Sequence, residues 1–130
     1  MVGAIKGGLM NPSILISIRD PFSNPIHVQI EKGKLEHVIY FEFDDWDKEH
    51  DGQLVISEED AVLISLFVKK YQDKEKEFDL YVNCEAGQSR SAGVAAAIAK
   101  YLFDDDEIFF RMKHPNMLCY RKVLNALMEK

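Results

Sequence analysis

Apolar and polar positions along this chain fall into two kinds of pattern, one suited to strands and one to helices. Residues 13–19 (SILISIR) form a run rich in β-branched side chains that stops at Asp20-Pro21, and they predict a strand. Residues 37–43 (HVIYFEF) and 79–83 (DLYVN) predict two more. Between the first two, residues 22–34 contain Pro25 and Gly33 and read as loop, with a short strand at 27–30 as an option. Residues 54–56 are a short apolar stretch. At Ser57-Glu58-Glu59-Asp60 the S-x-x-D form of a capping box opens a helix that runs to about residue 72. Ala61, Ile64, Phe67, Val68 and Tyr71 share one face of it, a stripe that belongs in a core. The charge-rich stretch at 69–77 reads as a solvated turn. An alanine-rich helix follows the third strand and its loop, ending near Phe103. The acidic run Asp104-Asp105-Asp106-Glu107 suits the start of a further short helix better than a metal cluster, because carboxylates favour a helix N-terminus. His114-Pro115-Asn116 ends that helix, and a last one covers about 117–128.

Strands alternating with helices imply an α/β fold with a mostly parallel central sheet flanked by helices. With 130 residues, no internal repeat and no linker-like stretch, the chain reads as a single domain spanning 1–130. An apolar content of 47% and a charged content of 29% fit a soluble globular protein. The net charge of −6 repels polyanions, so a broad nucleic-acid surface is not expected and any anion site has to be local. No stretch approaches the roughly 18 apolar residues of a membrane span. The N-terminal MVGAIKGGLM is broken by Lys6 and does not read as a signal peptide. With only two cysteines, the expected location is a reducing cytoplasm and no membrane association is expected.

The chemistry concentrates in Tyr81-Val82-Asn83-Cys84-Glu85-Ala86-Gly87-Gln88-Ser89-Arg90-Ser91-Ala92-Gly93. A strand ends at a cysteine, a short glycine-containing loop follows, and an arginine and a serine open a helix. Cysteine and arginine six positions apart place a concave row of amides at a helix N-terminus, where anions are favoured. The same setting favours the thiolate, the nucleophilic form of cysteine. Cys84-x5-Arg90-Ser91 resembles the signature of the cysteine-dependent protein tyrosine and dual-specificity phosphatases, and CEAGQSRSAG is most similar to their small bacterial and phage-type members. The resemblance implies a dual-specificity-phosphatase-like fold and a phosphoric monoester hydrolase without cofactor or metal. By it, Cys84 attacks phosphorus to form a phosphocysteine, and Arg90 grips two phosphate oxygens with its planar fork. Ser91 stabilises the departing Cys84 thiolate, and the amides of Glu85, Ala86, Gly87, Gln88, Ser89 and Arg90 cradle the phosphate. The family usually has histidine before the cysteine. Asn83 stands there instead, able to hydrogen-bond the loop backbone but carrying no charge. The implied partner is a phosphorylated protein, with phosphotyrosine leading and phosphoserine or phosphothreonine also open, or a small phosphoester. The loop residues Glu85–Ser89 include no lysine, which argues against phosphoinositides.

Ester cleavage also needs an acid to protonate the leaving oxygen. Phe43-Asp44-Asp45-Trp46-Asp47 follows a predicted strand and offers three carboxylates; Asp45 is the first choice, by its resemblance to the F-x-D of related small phosphatases, with Asp44 and Asp47 in reserve. Trp46 is either a lid aromatic or core packing. Two rival readings stay open. One is a phosphate-binding or interaction module with weak chemistry. The other is calcium binding at 47–58, which resembles an EF-hand loop with Gly52 at its sixth position, although Glu49 and a preceding strand rather than a helix fit it poorly. Cys119 is read as a packed apolar cysteine ahead of a resolving thiol. His27, His37, His50 and His114 lack zinc-type spacing, and no metal site is assigned.

Overall fold

The computed structural model describes residues 2–4, 13–20, 35–45, 55–74, 79–84 and 89–129. Among these residues, four strands and four helices occur in the order β1 (Val2–Ala4), β2 (Ser13–Arg19), β3 (Leu35–Glu42), α1 (Glu58–Lys74), β4 (Asp79–Cys84), α2 (Arg90–Phe103), α3 (Glu107–Met112) and α4 (Met117–Met128). The sheet order is β1-β4-β2-β3. Strand β2 pairs in parallel with both β3 and β4, and β1 closes the other side of β4 in antiparallel fashion. The fold is therefore α/β with three parallel strands, as the alternating pattern implied. The three-residue β1 was not foreseen; so short a segment carries no periodicity to read. The optional strand at 27–30 lies outside the described residues.

Strand periodicity sorts the side chains into two faces. Ile14, Ile16 and Ile18 of β2, Phe41 of β3 and Leu80, Val82 and Cys84 of β4 belong to one core cluster, together with Phe43 just beyond β3. Their neighbours there come from α1 (Ala61, Ile64, Phe67, Val68), α2 (Val94, Ala95, Ala97, Ile98) and α4 (Leu118, Cys119, Val123, Leu127). Each large aliphatic side chain buried this way contributes about 1.5–3 kcal/mol of transfer free energy. Ser17 and Asn83 are register partners on the opposite face, and both are buried.

Helix α1 starts as its sequence dictates. Ser57 Oγ accepts from the Asp60 amide at 3.0 Å, and Asp60 Oδ2 accepts from the Ser57 amide at 3.1 Å. That reciprocal pair satisfies two otherwise orphaned donors. The predicted stripe of Ala61, Ile64, Phe67, Val68 and Tyr71 is buried throughout. The acidic run divides its work instead of acting as one cap. Asp104 adopts the left-handed conformation (φ 57°) that ends α2 and pairs with Lys100. Asp105 accepts from the Glu107 amide, Asp106 accepts from the Tyr120 hydroxyl, and Glu107 pairs with Arg111. Among the described residues no helix is long and apolar enough to cross a membrane.

Helix α2 is the hub. It touches β1, β2 and β4 on one side and α3 and α4 on the other, and its residues from Arg90 to Ala99 are all buried. Small side chains permit this, since alanine and glycine let backbones approach closely. The tightest approach is at Gly93, where an added Cβ would sit 2.4 Å from the Asn116 carbonyl oxygen and 3.1 Å from Cys119 Cβ. Replacing Gly93 by alanine gains about 1 kcal/mol of helix propensity, but the clash with backbone costs about 1–3 kcal/mol or more. The clash wins because a backbone carbonyl cannot swing aside as a side chain can. Gly93→Ala should lower stability by about 1–2 kcal/mol, read as a reduced urea midpoint at unchanged m-value; an equal or higher midpoint would contradict the close approach.

Candidate active site

Ligand sites in parallel α/β sheets lie beyond the carboxyl ends of the strands, and this sheet brings three chemically useful side chains to that edge. Asp20 follows β2, Asp45 follows β3, and Cys84 ends β4. The ladder continues one step past β3, with the Phe43 amide donating to the Arg19 carbonyl at 3.0 Å, so the Asp45 segment stays close to the end of β2.

Cys84 faces the helices and is 4% exposed. Its thiol donates to Ser91 Oγ at 3.3 Å, and its Sγ accepts from the Ser91 backbone amide at 3.4 Å. The sulfur thus meets the first turn of α2, whose positive end favours charge on a thiolate. Arg90, the first residue of α2, is 3% exposed. Its Nη1 donates to the Phe43 carbonyl at 2.8 Å and pairs with Asp20 Oδ1 at 2.7 Å. Nε on the other edge of the fork is buried and has no hydrogen-bond partner among the described residues. The Nη1 end of the guanidinium is locked, and Nε is without a partner among the described residues.

Asp45 sits where the sheet edge meets α2 and α4. Its Oδ1 accepts from Ser89 Oγ and from Asn116 Nδ2, both at 2.8 Å. Asn116 is buried and caps α4, its Oδ1 accepting from the Cys119 amide at 2.9 Å. The Asn116 amide donates to the Ser89 carbonyl at 2.8 Å, tying the start of α4 to the start of α2.

The structure therefore brings together Cys84, Arg90, Ser91, Ser89 and Asp45, five of the expected site residues. Asp44 stands half-buried one residue before Asp45. Glu85, Ala86, Gly87 and Gln88 lie outside the described residues, as do Trp46 and Asp47 and the 47–54 portion of the calcium-like segment. Glu58, its last position, opens α1 and pairs with Lys122 at 3.6 Å. Asn83 points to the sheet face opposite Cys84, and its side-chain oxygen has no partner among the described residues. Among the described residues no group of three or more His, Cys, Asp or Glu side chains is placed to hold a metal ion.

Three contributors were not anticipated. Asp20 read only as the residue that stops a strand; its position at the carboxyl end of the central parallel strand was the available signal. Asn116 read as part of a helix boundary. The Phe43 carbonyl carries no side-chain signature at all. The arrangement places a thiol, a guanidinium paired with one carboxylate, and a second carboxylate around the start of α2. No protein-family model matches the chain, and no curated protein or solved structure matches it significantly.

Cys119 is fully buried on α4. Burial, reinforced by the nearby charge of Asp45 and opposed by that of Arg90, pushes its thiol well above the ordinary cysteine range. Iodoacetamide at pH 8 should leave Cys119 unmodified in the folded protein and label it after denaturation, as read by peptide mass mapping. Native-state labelling of Cys119 would contradict its packing.

Proposed function

We propose that this chain is a cysteine-dependent phosphatase, similar to the protein tyrosine and dual-specificity phosphatases, acting in the cytoplasm on phosphotyrosine and open to phosphoserine or phosphothreonine. The observation that carries the reading is the state of Arg90. A buried guanidinium costs several kcal/mol unless its charge and its donors are met. Asp20 and the Phe43 carbonyl meet Nη1, whereas the Nε edge keeps a buried donor with no hydrogen-bond partner among the described residues. A leftover buried donor costs about 1–3 kcal/mol, and a tetrahedral oxyanion bound on that edge would remove the penalty. The two interactions of Nη1 orient the fork before an anion arrives, so little ordering remains to be done on binding.

In this mechanism Cys84 Sγ attacks phosphorus as a thiolate. The S–P bond forms, the P–O bond to the tyrosine oxygen breaks, and Asp45 gives that oxygen its proton. Asp45, now a carboxylate, takes a proton from water as the water oxygen attacks the phosphocysteine. The S–P electrons return to Cys84, and the Ser91 hydroxyl, 3.3 Å away, turns to donate to the thiolate. Inorganic phosphate leaves from Arg90.

Cys84→Ser should abolish phosphotyrosine hydrolysis with an unchanged melting profile. Arg90→Lys should lower kcat/KM by about 10²–10³-fold, because a point charge cannot replace the fork. Asp45→Ala should lower kcat by about 10²–10⁴-fold, whereas Asp44→Ala should stay near wild type. Normal turnover by Cys84→Ser would end the reading. Tight phosphate binding by a wild type that never forms a phosphocysteine would instead favour the non-catalytic phosphate-binding module.

A further inference from the structure

The hydrogen bonds around Asp45 distinguish its two oxygens, and the distinction originates in a helix cap. The first turn of α4 has a Cys119 amide that needs an acceptor, and Asn116 Oδ1 supplies it at 2.9 Å. An amide group has one acceptor end and one donor end. Once Oδ1 is committed to the cap, Nδ2 is the end that points at Asp45, and it can only donate. The Asn116 backbone has no room to turn, since its amide is bonded to the Ser89 carbonyl and its carbonyl lies against Gly93 and accepts from the Tyr120 amide. Ser89 Oγ donates to the same oxygen, Asp45 Oδ1.

We infer that Asn116 is the positioning residue of the acid, holding Asp45 Oδ1 as a permanent acceptor so that the transferable proton is carried by Oδ2. The inference rests on the phosphatase reading for its role in catalysis and on geometry alone for the contact. Two donors on Oδ1 leave Oδ2 as the oxygen that can bear a proton, and a carboxyl group held on one side by Ser89 and Asn116 cannot rotate to exchange the two. When Asp45 has delivered its proton, the same two donors stabilise the carboxylate, readying it to accept a proton from water. Besides Asp45, the charged or titratable groups that act on the nearby Cys119 thiol are Arg90, which pairs with Asp20, and Cys84 and Asp60. None of them hydrogen-bonds Oδ1 among the described residues, so the two neutral donors set the preference between its oxygens.

A role for Asn116 confined to capping α4 makes a different prediction from this one. Aspartate and serine are both good caps, so Asn116→Asp and Asn116→Ser preserve the cap and remove the donor to Asp45. Losing a donor to the charged form raises a carboxyl pKa, and a second carboxylate raises it further. The alkaline limb of kcat/KM for phosphotyrosine, which reports the acid in the free enzyme, should therefore move to higher pH, further in Asn116→Asp than in Asn116→Ser. The ¹³C carboxyl titration of Asp45, followed by NMR without substrate, should move the same way. Ser89→Ala, which leaves α4 untouched, should shift both in the same direction and covers the case in which an Asn116 variant fails to fold. Unchanged limbs and unchanged Asp45 titration, in variants that fold and turn over, would overturn the positioning role while leaving the phosphatase reading intact. A wild type without phosphotyrosine turnover would sink the phosphatase reading, and the carboxyl titration would then decide whether Asn116 governs Asp45.

Discussion

A guanidinium taken out of water needs its charge compensated and its donors met, and Arg90 meets its charge and its Nη1 donors across two different strands while Nε has no partner among the described residues. Its Nη1 reaches the carboxylate after β2 and the carbonyl after β3, while its backbone begins α2. One side chain therefore fixes the distance between the helix start and two strand ends. Ser91, the next residue of the same helix turn, meets Cys84 through its hydroxyl and its amide. The compensation is asymmetric. Asp20 remains about half exposed while Arg90 is almost wholly covered, so solvent shares the burden of the carboxylate and the pair is not a fully desolvated one.

The second constraint is the contact of α2 with α4. Helix α2 supplies alanines on several sides because it is enclosed by the sheet and by α4, and larger residues would hold those layers apart. Gly93 goes further and admits the backbone of Asn116. That intimacy puts a capping side chain within reach of a carboxylate that belongs to the far edge of the sheet. Packing and chemistry are thus linked through a single missing methyl group.

Local patterns made most elements legible. Strand β2 and helix α4 have the bounds that their composition and flanking breakers imply, and the Ser57–Asp60 cap forms as its spacing demands. Cys84, Arg90 and Ser91 were legible as candidate site residues because they lie close together in sequence, at the end of one strand and the start of the next helix. Asp45 was legible as the first choice of three carboxylates, by the F-x-D pattern, whereas its contact with Ser89 needed the three-dimensional structure. Asp20 and Asn116 were not legible as site residues. Their roles depend on parallel strand register and on a helix–helix contact, and neither leaves a trace at short sequence distance. The division of Asp104 to Glu107 among four partners was hidden for the same reason.

The sheet order has a consequence for how the site comes into being. Strand β4, which carries Cys84, lies between β1 and β2, and parallel neighbours can be joined only by long crossings. Among the described residues β1 pairs with β4 alone, so it has no place in the sheet until that much later strand is present. Asp20, Asp45, Cys84 and Asn116 come from widely separated parts of the chain, so closing the loops between them is an entropic cost met before any of their contacts forms. A partly folded chain can have its helices in place and still lack a site. The cluster depends on the long-range contacts of the whole fold rather than on any one of its local elements.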